Sequence, residues 1–152
     1  MLLVDNIDNN ASFNTQMRAG NGNVSVRAYA AGGMVADKPY AVQFMGSGYN
    51  ATILAASIYA YVGVPEGGKA VASGCMGWVQ IRGYREGVQG GTEDFMGSQG
   101  HAIFWGAGAL GASTSAYQGL TYQVGVLMED LGGGASTTAN IYLTGLWATP
   151  QA

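Results

Sequence analysis

The chain has 152 residues, of which 26 are glycine and only 10% are charged, against about 25% in an average soluble domain. Its formal net charge is −3, and the six basic residues (Arg18, Arg27, Lys38, Lys69, Arg82 and Arg85) are scattered, which argues against the clustered cationic footprint of a nucleic-acid reader. No run approaches the ~18 apolar residues of a membrane-spanning helix, and a lone Cys75 allows neither an internal disulfide nor a cysteine metal cluster. The apolar 48% suits one domain with its own core. A surface this poor in charge suits subunit contacts, because few ions must be desolvated there. The first ten residues lack the basic segment and long apolar run of a cleaved leader, so synthesis in a cytoplasm without signal-directed export is expected.

In chain order, residues 1–23 are polar and Asn-rich, and read as an extended N-terminal arm that either stays loose or orders on a neighbouring subunit. Residues 24–152 read as a single β domain. Residues 24–30 (VSVRAYA) alternate with a period of two, as a strand does, and Gly32-Gly33 ends them. Asp37-Lys38-Pro39 is a turn before a second strand over 40–44, which Gly46-Ser47-Gly48 interrupts. Residues 50–60 fit a short helix or a strand, with strand favoured from Ser57 onward. Residues 59–83 form the most regular unit. Ala60, Val62 and Val64 alternate with Tyr61 and Gly63, Pro65-Glu66-Gly67-Gly68 breaks the run, and Val79 and Ile81 then alternate with Trp78, Gln80 and Arg82. Residues 84–100 and 106–119 are glycine-rich and read as loops around a strand at 101–105. Two more strands follow, at 120–128 with Leu120, Tyr122, Val124, Val126 and Met128 on one side, and at 138–147. Seven to nine short strands with glycine turns and no long 3.6-residue period predict an all-β fold. That fold is a small antiparallel β-sandwich or β-barrel with Gly-rich loops and an extended N-terminal arm.

The chemistry-bearing residues are sparse. His101 is the one histidine, and no serine or cysteine sits in a nucleophile motif. Glu86, Glu93 and Asp94, and then Glu129 and Asp130, lie in glycine-rich stretches without the spacing of a calcium loop, so solvated loop charges are the simplest reading. Residues 106–111 (GAGALG) match GxGxxG after an apolar strand, but the residues that follow make a poor helix, which a dinucleotide site requires. No catalytic, cofactor-binding or metal-binding residue is therefore assigned, and no cofactor is expected. Trp78, Trp105 and Trp147 sit at strands, where core packing is the default and interface or sugar-platform use the alternatives.

The order of Lys38-Pro39-Tyr40, then YVGVPE from Tyr61, then GWVQIRG from Gly77, resembles tailed-bacteriophage virion proteins of the capsid decoration, or cement, class. The closing segments VGVLME from Val124 and IYLTG from Ile141 add to the resemblance, which spans residues 38–147. It implies a small β protein that forms homotrimers on the outer capsid surface of the virion, bridges major capsid subunits and strengthens the shell. It implies neither enzyme activity nor a cofactor. Tyr84, Arg85, Phe95 and Tyr117, in the two glycine-rich stretches, are the candidate interface anchors, by residue type and expected exposure. The alternatives are a tail, fibre or head-spike component, and, in a different class, a carbohydrate-binding β-sandwich.

Overall fold

The computed structural model describes residues 17–46, 48–53, 60–90, 95–106, 109–112, 122–132 and 134–145. Among these, ten strands appear: β1 (Met17–Gly20), β2 (Asn23–Ala30), β3 (Tyr40–Met45), β4 (Gly48–Thr52), β5 (Tyr61–Pro65), β6 (Cys75–Gln89), β7 (Ala102–Gly106), β8 (Ala109–Ala112), β9 (Tyr122–Leu127) and β10 (Thr138–Thr144). The all-β expectation holds. Five strands close a barrel in the order β2-β4-β3-β5-β6, and β6 returns to β2. All of its pairings are antiparallel except β2 with β4, where Ala28 lies opposite Tyr49 and Tyr29 opposite Asn50. The remaining strands extend from β6 in the order β10-β9-β7-β8.

The 15 residues of β6 belong to both parts. Its first half pairs with β2 from Ala30↔Cys75 to Val24↔Arg82, and its second half pairs with β10 from Thr144↔Arg82 to Thr138↔Gln89. Two bulges let one strand serve both. Ile81 is the extra residue against β2, because Val24 faces Arg82 while Ser25 faces Gln80. Glu86 and Gly87 together face Asn140, with Gly87 at φ 64 and its N–H donating to Asn140 Oδ1 at 3.0 Å. Between them Gly83 adopts φ 104, and a Cβ there would lie 2.9 Å from the Asn23 Cα. The Gln80 amide, 4% exposed, donates across this bend to the carbonyls of Arg82 (3.2 Å) and Tyr84 (2.9 Å), so acceptors that leave the ladder stay satisfied.

Period-two alternation now explains two cores. Val26, Ala28, Ala30, Tyr40, Val42, Val79 and Ile81 fill the barrel. Ala41, Val62 and Val64 point out of it and meet Val88, Phe95, Ile103, Val124, Leu127, Ala139, Ile141 and Leu143 of the outer sheet and its connections. β5 is thus buried on both faces, and Gly63 takes the barrel side because only a hydrogen fits against Val79 and Val42.

Several expectations are corrected. Residues 17–23 belong to the sheet and not to the expected arm, since Met17–Gly20 pairs with β2 through a turn in which Asn21 (φ 51) and Gly22 (φ 81) supply the positive φ pair of a two-residue hairpin. Residues 1–16 lie outside the described residues. Residues 84–89 are strand, not loop. Gly48–Thr52 is a strand because Gly46, at φ 63, turns the chain back instead of ending it. β9 carries a bulge at Val124, so Val124 and Leu127 both face the core in place of simple alternation. Of the GAGALG stretch, Gly106 and residues 109–111 lie in paired strands, with Phe104 opposite Gly111 and Gly106 opposite Ala109, where a loop was expected.

A side chain at Gly63 tests this packing. Its Cβ would lie 2.5 Å from Val79 Cγ1 and 2.9 Å from Val42 Cγ2. Urea unfolding of Gly63→Val should show a loss of about 1–3 kcal/mol. Gly20→Val, whose Cβ meets nothing within 4 Å, should stay within about 0.5 kcal/mol of the parent.

Candidate interaction surface

The β3–β4 hairpin and the residues at its base carry several strongly exposed apolar side chains. Phe44 lies directly opposite Tyr49, and their rings meet edge to face at 5.3 Å and 72°. Tyr49 rests on the barrel core, and its phenol is raised above the ordinary value by burial first and by nearby Tyr61 second. Phe44 and Met45 remain 50% and 58% exposed at the hairpin tip. At the hairpin base, Ile53 (70% exposed) and Val35 (56%) flank a concavity of about 600 Å³ floored by Met34, Tyr40 and Val71. The Val35 N–H donates to Tyr40 Oη at 2.7 Å, which fixes this rim.

A second surface lies on the outside of β2 and β6. Pairing sets Arg27 beside Trp78 and Tyr29 beside Met76. Arg18 of β1 lays its guanidinium 4.2 Å from the Trp78 ring centroid and forms an ion pair with Glu66, on the short 3₁₀ turn Glu66–Gly68. Cys75, a free exposed thiol, and Lys69 line the adjoining groove. The Arg18 guanidinium thus occupies one face of the Trp78 ring.

The expected anchors divide. Tyr84 is exposed at 42%, close to Glu86 and Glu129. Its phenol is raised by partial desolvation and then by the two carboxylates. Arg85 is corrected: its guanidinium donates to Asp37 Oδ1 (2.6 Å) and to the Pro65 carbonyl (3.0 Å), and only 13% of its side chain is exposed. It ties the barrel to the second half of β6. Phe95 is also corrected, because it is fully buried in the second core and bridged to Ser136 by paired backbone bonds of 2.7 and 2.9 Å. Tyr117 lies outside the described residues. The missed surface residues, Phe44, Met45, Ile53 and Val35, sit in apolar runs that look like core, and no local signal separates them.

Glu129 accepts from the Asn140 N–H (2.6 Å) and side-chain amide (3.3 Å), a structural role beside the Gly87 bulge. His101 is exposed, and its Nδ1 accepts from the Ser98 N–H at 3.3 Å, a loop-closing contact. Among the described residues, no group of three or more His, Cys, Asp or Glu side chains could hold a metal ion. Comparison with family models, curated proteins and solved structures finds no match to this chain.

Tyr84 reports the local field. Above pH 10 both carboxylates are ionised and oppose a tyrosinate. Glu86→Gln should therefore lower the Tyr84 phenol toward its ordinary value, as should added salt, read by NMR of ring-labelled tyrosine. No change in either titration would show that the carboxylates do not act on it.

Proposed function

We propose that this chain is a virion structural protein, a capsid decoration subunit that binds the outer shell and stabilises it by bridging major capsid subunits. The observation that carries this reading is the set of exposed apolar side chains on one rigid hairpin, Phe44 and Met45 at its tip and Ile53 at its base, in a chain with so few charges. Large exposed apolar groups in such a setting mark a protein contact. The resemblance of residues 38–147 to cement proteins supplies the kind of partner. Shell binding at many symmetry-related points multiplies a modest single contact, so a small hairpin anchor suffices. The β scaffold supplies stiffness: its anchors stand on paired strands, and the order they need is already present before docking. The same surface would serve a tail, fibre or head-spike component, which differs in location and not in chemistry.

Co-sedimentation with shells of the encoding virus, stripped of this protein, tests the proposal. The parent chain should pellet with shells, and Phe44→Ser/Met45→Ser should lower its apparent affinity about tenfold or more. Met45→Ser alone, which leaves the Phe44–Tyr49 ring pair intact, should give part of that loss. Absence of the parent chain from the pellet would overturn the capsid reading.

A further inference from the structure

A two-residue turn at the end of the sheet carries a reactive pair. Asn21-Gly22 joins β1 to β2, and it is the one Asn-Gly dipeptide in the chain. Both residues are exposed. Gly20 and Asn23 form the last pair of the ladder, so the Gly22 N–H stands beyond it, and among the described residues it meets no backbone acceptor. A Cβ built at Gly20 or at Gly22 would meet nothing within 4 Å, so the turn has open space around it. The other asparagines of the described residues are placed differently. Asn23, Asn50 and Asn140 precede Val24, Ala51 and Ile141, whose side chains crowd the approach to the following N–H. The Asn50 amide donates to the Gly48 carbonyl at 3.5 Å, and the Asn140 amide to Glu129 Oε2 at 3.3 Å. β1 itself is four residues long and stands at the end of the sheet order, where local opening is easiest.

An asparagine amide is open to attack by the nitrogen of the next peptide, and a following glycine offers that nitrogen with no side chain in the way. We propose that Asn21-Gly22 is a self-modification site, which converts to isoaspartate and thereby releases β1. The Gly22 nitrogen loses its proton to hydroxide and bonds to Asn21 Cγ. The Cγ–Nδ2 bond breaks, and Nδ2 takes a proton from water and leaves as ammonia. Water then opens the cyclic imide. Addition at Cγ gives aspartate, and addition at the Asn21 carbonyl carbon gives isoaspartate, whose backbone runs through Cβ and Cγ. No oxidant or reductant takes part. The extra backbone atom falls in a loop that needs positive φ at both positions, 51 at Asn21 and 81 at Gly22. The register from Met17↔Val26 to Gly20↔Asn23 depends on that loop. So does the place of Arg18, which β1 presents to Trp78 and Glu66. The new carboxylate also enters the concavity that Asn21 shares with Arg18 and Glu66. With β1 released, β2 still pairs with β4 and β6, so the barrel stays closed while the Arg18 guanidinium leaves the Trp78 ring.

Ageing of the purified full chain at mildly alkaline pH, followed by peptide mapping with mass spectrometry, tests this. The peptide that spans Asn21 should lose its amide, take the mass of the acid and separate into two forms, one of which a protein isoaspartate methyltransferase labels. Asn23, Asn50 and Asn140 should keep their amides in the same sample. As isoaspartate accumulates, tryptophan emission should shift and amide exchange of residues 17–20 should quicken. Asn21→Gly, whose Gly-Gly turn keeps the positive φ pair, should show neither the conversion nor the drift. Fresh Asn21→Asp adds the charge alone and should keep the emission of the parent chain. Trp78→Phe should convert without the drift in emission. An Asn21 amide that lasts as long as those of the other three asparagines would overturn the proposal. So would isoaspartate that forms and leaves both the exchange of residues 17–20 and the tryptophan emission unchanged. Shell co-sedimentation is a separate measurement, so failure here leaves the capsid reading to its own test.

Discussion

The bend of β6 at Gly83 is the constraint on which the rest of the molecule depends. A strand that stayed regular would carry its face past the barrel and leave the outer sheet nothing to build on. Gly83 at φ 104 and the bulge at Ile81 turn the chain out of the barrel, and the Gln80 side chain takes up the carbonyls of Arg82 and Tyr84 at the turn. An unsatisfied buried polar group costs about 1–3 kcal/mol, and the Gln80 amide, itself buried, avoids that cost through these two carbonyls. Arg85 completes the joint by reaching Asp37 and Pro65 from the far side of the bend.

From that joint the burial pattern follows. Because β10, β9 and β7 continue from β6, they fold over the outside of β3 and β5, and those strands become buried on both faces. Small residues then become necessary: Ala41 faces the outer sheet, and Gly63 faces the barrel. The same geometry leaves the β3–β4 hairpin projecting with Phe44 and Met45 uncovered. Interaction surfaces on such a frame keep their spacing, which the proposed docking on a shell would require.

Much of this was legible in the sequence where alternation is simple. Residues 24–30, 61–65 and 78–82 show their period, 40–44 reads as a strand between turns, and the structure places strands at all four. The misreadings share a cause, which is that glycine has two meanings. Gly83 and Gly87 look like strand ends, yet they are the residues that let β6 bend and bulge without stopping. Gly46 looks like a break and is a hairpin turn. Phe95 stands among glycines and charges, so it reads as exposed; its burial comes from the second core, where paired backbone bonds fasten it to Ser136, some forty residues later. Arg85 finds Asp37 across 48 positions, a pairing that no local pattern announces. Phe44 and Met45 continue an apolar strand, and only the place where the barrel wall ends decides that they face solvent. Residues 1–16 and Tyr117 lie outside the described residues, so their expected contact roles rest on the sequence.

The central structural claim is that β6 joins the barrel and the outer sheet into one cooperative body. Native-state hydrogen exchange tests it most directly. Amides of Val26, Val42 and Val64 in the barrel and of Ile141, Leu143 and Ile103 in the outer sheet should open with the same free energy and the same denaturant dependence, that of global unfolding. Exchange of the Ile141, Leu143 and Ile103 amides through a separate opening, several kcal/mol easier than that of the barrel and with a smaller denaturant slope, would contradict the account.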